Sequence, residues 1–326
     1  MTFEILKNSH TYIKKNRLSK NYLVTISIGK KYYNDWKKYS LNSWLSYCKN
    51  NNLGILVIHK HLVKKKSNYW KTPTWQRLLV AEYIKKYSLD IKNICVLDND
   101  IFINSLAPNI FKFSNLKKIS VVNVYKNLPH HRTDYKLRER IVYLRRLFLD
   151  KSFPLRSSIT ASPKEIFKHY KLGSKLDNYF CGGVMVYDVK RYSNFFKNIY
   201  LKYCNKKYQK IFAANKGVDI PLNFEVMNKK KVHWLDYKFQ TIWLFELSDK
   251  YSFLYRAKKN RSLLIKYCAE EILLNSYFLH FPGSLKDAGL SWKIPKFFKD
   301  KQLIKLNYLF NKTKIYLKPK FLKNIN

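Results

Sequence analysis

Two aspartates separated by a single residue, Asp98 and Asp100, have the type and spacing needed to hold a metal ion. They follow the apolar run over residues 94–97, and at positions i and i+2 of an extended segment their side chains point to the same side. A pair of carboxylates can bind one hard divalent cation, which can act as a Lewis acid on a phosphate. Acidic residues at a strand end are also common as plain turn residues, and that alternative stays open.

A second group of candidate residues lies in one loop, residues 280–286, at the end of a predicted strand. His280 could supply a third metal ligand, Gly283 would let the backbone approach a phosphate closely, and Lys286 could neutralise a diphosphate. The alternative is a partly buried histidine beside an ordinary Pro-Gly turn.

The elements that must position these side chains alternate between strands and helices. Apolar runs and helical spacings predict strands over residues 22–28, 53–59 and 94–97 and helices over residues 33–50 and 72–87. The second helix has Thr72 as a candidate N-cap and Pro73 in its first position. Such alternation is typical of a parallel α/β sheet, whose ligands gather at the carboxyl ends of the strands. We therefore expect Asp98 and Asp100 at that edge.

The rest of the chain continues the same alternation. Further strands are predicted over residues 119–124, 179–187, 232–235 and 277–281, and further helices over residues 134–149 and 189–204. Beyond residue 296 the pattern is aromatic and Lys-rich without the spacing of one long helix. The predicted organisation is a polar leader over residues 1–20, one α/β domain over residues 21–290 and a basic aromatic C-terminal appendage over residues 291–326.

The charge of the chain is strongly positive, with 64 Lys+Arg against 21 Asp+Glu and a formal net charge of +43. This excess predicts a surface that attracts anions, although AT-rich coding would also raise Lys, Asn, Ile, Tyr and Phe together. The basic helix over residues 134–149 carries Arg138, Arg145 and Arg146. We hypothesise that this helix and the tail after residue 296 help to hold an anionic acceptor or membrane surface, and a solvated face is the alternative.

Several classes of protein are not favoured by the sequence. It has no apolar run of the ~18 to 20 residues needed to span a membrane and no signal-peptide pattern, and its five cysteines form no Cys-x-x-Cys pair. We therefore expect a cytoplasmic protein, with peripheral contact to a membrane left open. Nucleic acid is not an expected partner, because the chain has no zinc-finger, helix-turn-helix or RNP-like motif. A basic nucleic-acid- or membrane-binding protein without catalysis remains the alternative.

Three motifs in this order resemble those of the GT-A-fold glycosyltransferases similar to family 8, which includes glycogenin-like and lipopolysaccharide galactosyltransferase-like enzymes. The Asp-x-Asp after a strand is similar to Asp98-Asn-Asp100, and the family's His-x-x-Gly-x-x-Lys is similar to residues 280–286. Between them, the family's strand with aromatic-Phe-Asn-Ala/Gly-Gly-Val is similar to residues 179–184. The resemblance implies an α/β GT-A fold, with a mixed central sheet and helices on both faces.

The function that the resemblance implies is metal-dependent transfer of a sugar from a nucleotide-diphosphate donor, with UDP as the expected nucleotide, to a glycan, lipid or protein acceptor. Asp98, Asp100 and His280 would hold Mn²⁺ or Mg²⁺, and mixed carboxylate and imidazole ligation favours Mn²⁺. Gly283 and Lys286 would contact the diphosphate. A retaining reaction is expected. The other implied donor-binding residues are Thr25, Arg77, Asp98, Gly182 and Gly183.

The chain departs from the family pattern at two places. Cys181 stands where the family strand has Asn, and Val218-Asp219 stands where the family has an Asp-Gln pair near the sugar. Asp219 is therefore either a contact to the reacting sugar or a helix N-cap ahead of Pro221. Asp177 and Asn178 are further candidates for catalytic contact with the sugar. A degenerate, inactive member of the fold is the alternative.

Overall fold

The computed structural model describes residues 3–16, 18–155, 159–173, 175–209, 217–229, 231–257 and 261–282. The strands are β1 His10–Lys14, β2 Asn21–Ile26, β3 Gly54–Ile58, β4 Asn93–Leu97, β5 Ile101–Ile103, β6 Ile119–Asn123, β7 Phe180–Asp188, β8 Val232–Leu235, β9 Thr241–Ile242 and β10 Phe278–His280. The α-helices are α1 Lys30–Tyr39, α2 Leu41–Asn50, α3 Pro73–Gln76, α4 Val80–Lys86, α5 Asp134–Phe148, α6 Pro163–His169, α7 Val189–Lys202, α8 Lys206–Gln209, α9 Asp219–Asn228, α10 Trp243–Asp249 and α11 Arg261–Asn275. Gly283, Lys286 and the predicted appendage over residues 291–326 lie outside the described residues.

The central sheet has seven strands in the order β1-β3-β2-β4-β7-β6-β8, and a smaller sheet has the order β5-β10-β9. Strands β3, β2 and β4 run parallel, whereas β7 is antiparallel to both of its neighbours, β4 and β6. The expected mixed sheet is therefore confirmed. The parallel arrangement that strand–helix alternation is typical of does not extend to β1 and β7, because alternation in the sequence does not specify which way a strand inserts.

Helices cover both faces of this sheet, as expected for the predicted fold class. Alternate side chains of the central strands enter two different cores. Val24 and Met185 pack in the core that contains α4 and α7, whereas Leu23 and Val184 pack in the core that contains α1 and α2. Within the described part of the chain, no helix combines the length and apolarity required to cross a bilayer.

The segment predicted as a polar leader contributes to the central sheet. Strand β1 pairs antiparallel with β3 at the sheet edge, and Ile5 is buried in the core beside it. An edge strand exposes much of its length to solvent, which explains why this segment is polar in sequence. The predicted domain boundaries themselves stay a prediction.

The helix predicted over residues 33–50 is two helices that meet at Ser40. Trp36 and Trp44, one on each helix, are fully buried with ring centroids 5.5 Å apart, so both helices pack on the same core. The Ser40 hydroxyl donates to the carbonyl of Asn99 at 2.8 Å. The break between α1 and α2 therefore anchors the turn that carries Asp98 and Asp100.

The helix predicted over residues 72–87 is interrupted by a 3-10 turn at Arg77–Leu79. Pro73 is its first residue as predicted, but Thr72 makes no side-chain cap bond, and its hydroxyl instead contacts that of Thr74 at 3.0 Å. Arg77 lies in the interrupted turn and reaches the central sheet, where Nη1 donates to the carbonyl of Gly182 at 2.6 Å.

Helix α5 matches the helix predicted over residues 134–149, but Arg138, Arg145 and Arg146 all contact other parts of the chain. Arg138 is buried and donates to the carbonyls of Val124 and Ile159, with its guanidinium 4.2 Å from the ring centroid of Tyr125. The sequence pattern placed Arg138 on an anion-binding surface, and that placement is wrong because the tertiary fold supplies carbonyl and aromatic partners. Arg145 and Arg146 both contact Phe153, through its ring and its carbonyl respectively.

Candidate metal centre

The fold brings Asp98, Asp100 and His280 together from two sheets. Asp98 directly follows β4, and its N–H donates to the carbonyl of Gly183 on β7 at 3.0 Å. Residues 98–100 then form a turn into β5, so the two aspartates do not lie on the extended segment that their spacing suggested. Strand β10 pairs antiparallel with β5, and the N–H of Phe281 donates to the carbonyl of Asp100 at 3.2 Å. This pairing places His280 beside both aspartates.

The three side chains offer ligand atoms that lie within 4.8 Å of one another. His280 Nε2 is 3.3 Å from Asp100 Oδ1 and 3.7 Å from Asp98 Oδ2. His280 is fully buried, whereas the Asp98 side chain is 34% exposed, so the group opens to solvent on the carboxylate side. Nε2 of His280 and Oδ1 of Asp100 are both buried without a hydrogen-bond partner among the described residues. A cation bound between them would satisfy both atoms.

The electrostatics of the metal-free group depend on burial and on the opposite charges of its members. Burial by itself lowers the pKa of His280, but the Asp100 carboxylate outweighs it, and the pKa stands well above its ordinary value. Burial raises the pKa of Asp100 above its ordinary value, although the nearby imidazolium opposes this change. A proton on His280 thus compensates the carboxylates where a divalent cation would otherwise do so.

Arg77 contacts the Asp98 carboxylate from the buried side of the three-residue group. It is buried, and its Nη2 lies 3.2 Å from Asp98 Oδ1, while Nε donates to the carbonyl of Thr74 at 3.0 Å. Burial opposes the charge of Arg77, but Asp98 and Asp219 outweigh it and raise the pKa of the guanidinium above its ordinary value. Since Arg77 engages Oδ1 of Asp98, the other oxygen of that carboxylate faces His280.

The two glycines of β7 leave space for the site side chains. A Cβ on Gly183 would lie 2.8 Å from His280 Nδ1 and 2.7 Å from Gln240 Nε2, and one on Gly182 would lie 2.6 Å from Asp219 Oδ1. Distances this short do not occur for real Cβ atoms. The Gly-Gly pair is therefore required for packing of His280, Gln240 and Asp219 against the sheet, and its predicted contact with the donor stays a prediction.

Asp219 lies at the edge of this site and does not cap α9. It is the first helical residue, and Val218 occupies the preceding cap position. Asn223 fixes α9 to the start of β7, because its side chain accepts from the N–H of Phe180 at 2.7 Å and donates to the same residue's carbonyl at 2.8 Å. Oδ1 of Asp219 is buried without a side-chain partner among the described residues, and burial raises the pKa of this carboxyl.

The remaining predicted site residues lie outside the triad. Thr25 is fully buried in β2, and its hydroxyl has no hydrogen-bond partner in the described part of the chain. Asp177 forms an ion pair with Lys126, and Asn178 accepts from the side chain of Asn123 at 2.8 Å. Both precede β7 and lie at its amino end, on the sheet edge where β4 ends, but their described contacts do not include the metal ligands. Their roles in donor binding and catalysis stay predictions.

Sequence reasoning missed Gln240, which directly contacts His280. Gln240 is fully buried, and its Nε2 lies 3.0 Å from His280 Nδ1, on the opposite side of the imidazole from the carboxylates. Cys181 Sγ lies 3.9 Å from the same nitrogen. Gln240 ends a short 3-10 turn with no motif around it, so only the tertiary fold identifies it.

We expect Gln240 to set the tautomer of His280 for metal binding. A cation on Nε2 requires the proton on Nδ1, and an amide accepts that proton only through its oxygen. Gln240 Oε1 is buried and, in the present amide orientation, has no partner among the residues that the structure describes; the reversed orientation would present it to Nδ1. Gln240→Leu should therefore weaken Mn²⁺ binding by about 10- to 100-fold, measured by titration calorimetry.

The matched variant is Gln240→Glu, which keeps an acceptor for Nδ1–H and should retain most of the Mn²⁺ affinity. Equal affinities for Gln240→Leu and the unmodified protein, with both folded by circular dichroism, would show that Gln240 only fills space.

Comparisons with known proteins find similar chains among solved structures only. No protein-family model and no curated protein matches the chain. The similar solved structures are glycosyltransferases. A glycosyltransferase involved in the glycosylation of the major capsid of PBCV-1 is 10% identical, with 87% of this chain and 98% of that chain covered and a TM-score of 0.45. The galactosyltransferase LgtC in complex with donor and acceptor sugar analogues is 11% identical, with 88% and 95% covered and a TM-score of 0.45.

Mouse xyloside xylosyltransferase 1 is also similar, at 11% identity, with 81% of this chain and 98% of that chain covered and a TM-score of 0.39. Identities and scores at this level do not transfer a reaction or a substrate. The chemistry of the chain is therefore inferred from its own residues.

Proposed function

We propose that this protein is a glycosyltransferase that takes a sugar from a nucleotide-diphosphate donor and binds a divalent cation through Asp98, Asp100 and His280. The observation that carries the proposal is the convergence of these three ligands at the carboxyl end of β4. Ligands of open α/β sheets gather at this edge. The order of the three motifs in the sequence, which resembles glycosyltransferase family 8, supports the same assignment.

The ligand set suits Mn²⁺ somewhat better than Mg²⁺. Carboxylate oxygens serve both ions, but Mg²⁺ usually keeps several waters and few protein ligands, whereas imidazole is a common ligand of transition metals. The buried, unpartnered atoms of His280 and Asp100 are what such an ion would satisfy. Nucleotide-diphosphate sugars carry the phosphate oxygens that would complete its coordination.

The residues of the site have separable tasks in sugar transfer. When bound, the cation would act as a Lewis acid on the departing diphosphate. Arg77 holds Asp98 in place from the buried side, and Gly182 and Gly183 keep the strand free of side chains next to the ligands. Asp219, with its unpartnered Oδ1, is the candidate for contact with the reacting sugar. A UDP donor and a retaining course are proposed from the resemblance alone.

A donor screen tests this function directly. UDP-, GDP- and CMP-sugars are added singly with Mn²⁺, with Mg²⁺ or with chelator, and the thermal unfolding midpoint and the released nucleotide are measured. A ligand at 100 times its dissociation constant stabilises the folded state by about 2.7 kcal/mol. We expect one donor to stabilise the protein only when Mn²⁺ is present. If no nucleotide sugar changes the midpoint with either ion, the proposed function is wrong.

Lys286 is proposed to neutralise the diphosphate, and Gly283 to allow its approach. Removing a group that stabilises developing charge costs about 10² or more in turnover. Lys286→Ala should therefore lose about 100-fold in turnover at saturating donor, measured as nucleotide release, while Lys190→Ala, at an exposed position on α7, keeps the unmodified rate. Unchanged turnover in Lys286→Ala would assign that lysine to the general positive surface.

A further inference from the structure

A cavity of 940 Å³ lies between α5 and α6, outside the metal centre. On α5, Tyr135, Glu139 and Tyr143 are spaced four residues apart and line one wall. Glu165 and His169 line the opposite wall from α6. Its volume is at the upper end of the roughly 300 to 1,000 Å³ of small-molecule sites, so it has room for an extended ligand.

The chemistry of the cavity is unlike that of the rest of the surface. The chain contains 64 Lys+Arg among 326 residues, yet none of the described residues that line the cavity is a lysine or an arginine. Two of the lining residues, Glu139 and Glu165, are carboxylates instead. Hydrogen bonds from Tyr135 and Lys136 lower the pKa of Glu139, so this carboxylate is ionised at neutral pH. The described lining therefore offers no lysine or arginine to an anionic ligand, and Glu139 already pairs with Lys136 at 3.1 Å.

The tyrosines supply flat, solvent-facing rings. Tyr135 and Tyr143 are 57% and 59% exposed, although large aromatic side chains usually bury most of their surface. An ionised carboxylate only accepts hydrogen bonds, and an aromatic ring presents a negative face to C–H groups. Aromatic faces beside acceptors suit a ligand rich in hydroxyl donors and in axial C–H groups, which describes an uncharged saccharide.

The cavity lies near the amino end of β7. Tyr170 lines the cavity, and Tyr179, which directly precedes β7, interacts electrostatically with Tyr170, Cys181 and Asp219. Phe167 on α6 packs against Tyr179 with ring centroids 6.2 Å apart. A saccharide that extends beyond Tyr170 would therefore approach Asp219.

We propose that this cavity binds an uncharged acceptor saccharide and presents its end to the donor site. Only the role of this saccharide as an acceptor rests on the proposed function, because the cavity itself specifies only a ligand of this chemistry. It replaces the anionic acceptor expected from the basic helix: α5 turns Arg138 into the fold and presents Tyr135, Glu139 and Tyr143 to the cavity.

The test is saturation-transfer difference NMR without nucleotide sugar or metal, so that failure of the donor site does not affect it. The probes are lactose, cellobiose and chitobiose, with sialyllactose as the acidic counterpart of lactose and tetralysine as a cationic competitor. We expect saturation transfer to at least one neutral disaccharide, weaker transfer to sialyllactose and no displacement by tetralysine.

Variants locate the binding. Tyr143→Ala should lower the affinity for the neutral disaccharide about tenfold, as expected for loss of a central aromatic contact. Tyr143→Phe should keep most of the affinity because it retains the ring. The matched control is Tyr267→Ala, which removes a tyrosine that is 55% exposed on α11 and does not line the cavity.

Three results would overturn the proposal: no transfer to any neutral disaccharide, equal affinity in Tyr143→Ala, or preference for sialyllactose or tetralysine. Saccharide binding without any Mn²⁺-dependent donor would keep the binding site and remove the glycosyltransferase assignment. Donor binding without saccharide binding would keep the glycosyltransferase assignment and remove the saccharide-binding site.

Discussion

Asp100→Asn is expected to weaken Mn²⁺ binding by more than about 100-fold and to abolish sugar transfer. Loss of a residue that only supports a metal ligand already costs about 10- to 100-fold in affinity, so loss of a charged ligand should cost more. Asn keeps the size of the side chain and one oxygen, so the change removes charge rather than volume. Mn²⁺ affinity is measured from the free-ion signal in electron paramagnetic resonance, and turnover from nucleotide release.

The fold should survive this substitution. Asp100 lies in a turn, and burial raises the pKa of its carboxyl above its ordinary value, so Asn removes a charge that burial disfavours. The control is Asp90→Asn, which removes one negative charge from a side chain that is 80% exposed and should leave Mn²⁺ affinity unchanged. Retention of Mn²⁺-dependent turnover in Asp100→Asn would exclude this aspartate as a metal ligand.

The local elements of the fold could be predicted because each leaves a periodic pattern in the sequence. Buried strands such as β3 and β4 are short uninterrupted apolar runs, and their ends are marked by turn residues or by Asp98 itself. The three candidate metal ligands could be selected for the same reason, since Asp98 and Asp100 directly follow a recognisable strand and His280 ends another. The extended i, i+2 arrangement predicted for the two aspartates is wrong, because a turn brings both carboxylates to His280.

What could not be predicted depends on contacts between distant segments. Arg138 and a surface arginine look alike in sequence, and only the neighbouring carbonyls and Tyr125 decide that this one is buried. Gln240 belongs to no motif and reaches His280 only because β9 and β10 pair side by side. The direction of β7 is likewise a property of its partners β4 and β6.

The Gly-Gly strand can be tested independently of any donor, because its role is steric. Gly183→Ala would place a methyl group 2.8 Å from His280 Nδ1 and 2.7 Å from Gln240 Nε2. Both side chains are fully buried, so neither can move aside without displacing its neighbours. Overpacking of this kind typically costs about 1 to 3 kcal/mol. We expect a lower free energy of unfolding in urea together with at least tenfold weaker Mn²⁺ binding, because His280 would leave its position beside the carboxylates.

A double-mutant cycle separates this clash from a general intolerance of side chains on β7. If contact with His280 is the cause, Gly183→Ala should cost less stability in a His280→Ala background than in the unmodified protein, with a coupling of about 0.5 to 3 kcal/mol. Gly217→Ala serves as the matched control, since a Cβ there would lie 3.9 Å from its nearest neighbour and should leave both measurements unchanged. Equal costs in the two backgrounds would mean that Gly183 is needed by the strand itself, and that the glycine does not report on the position of His280.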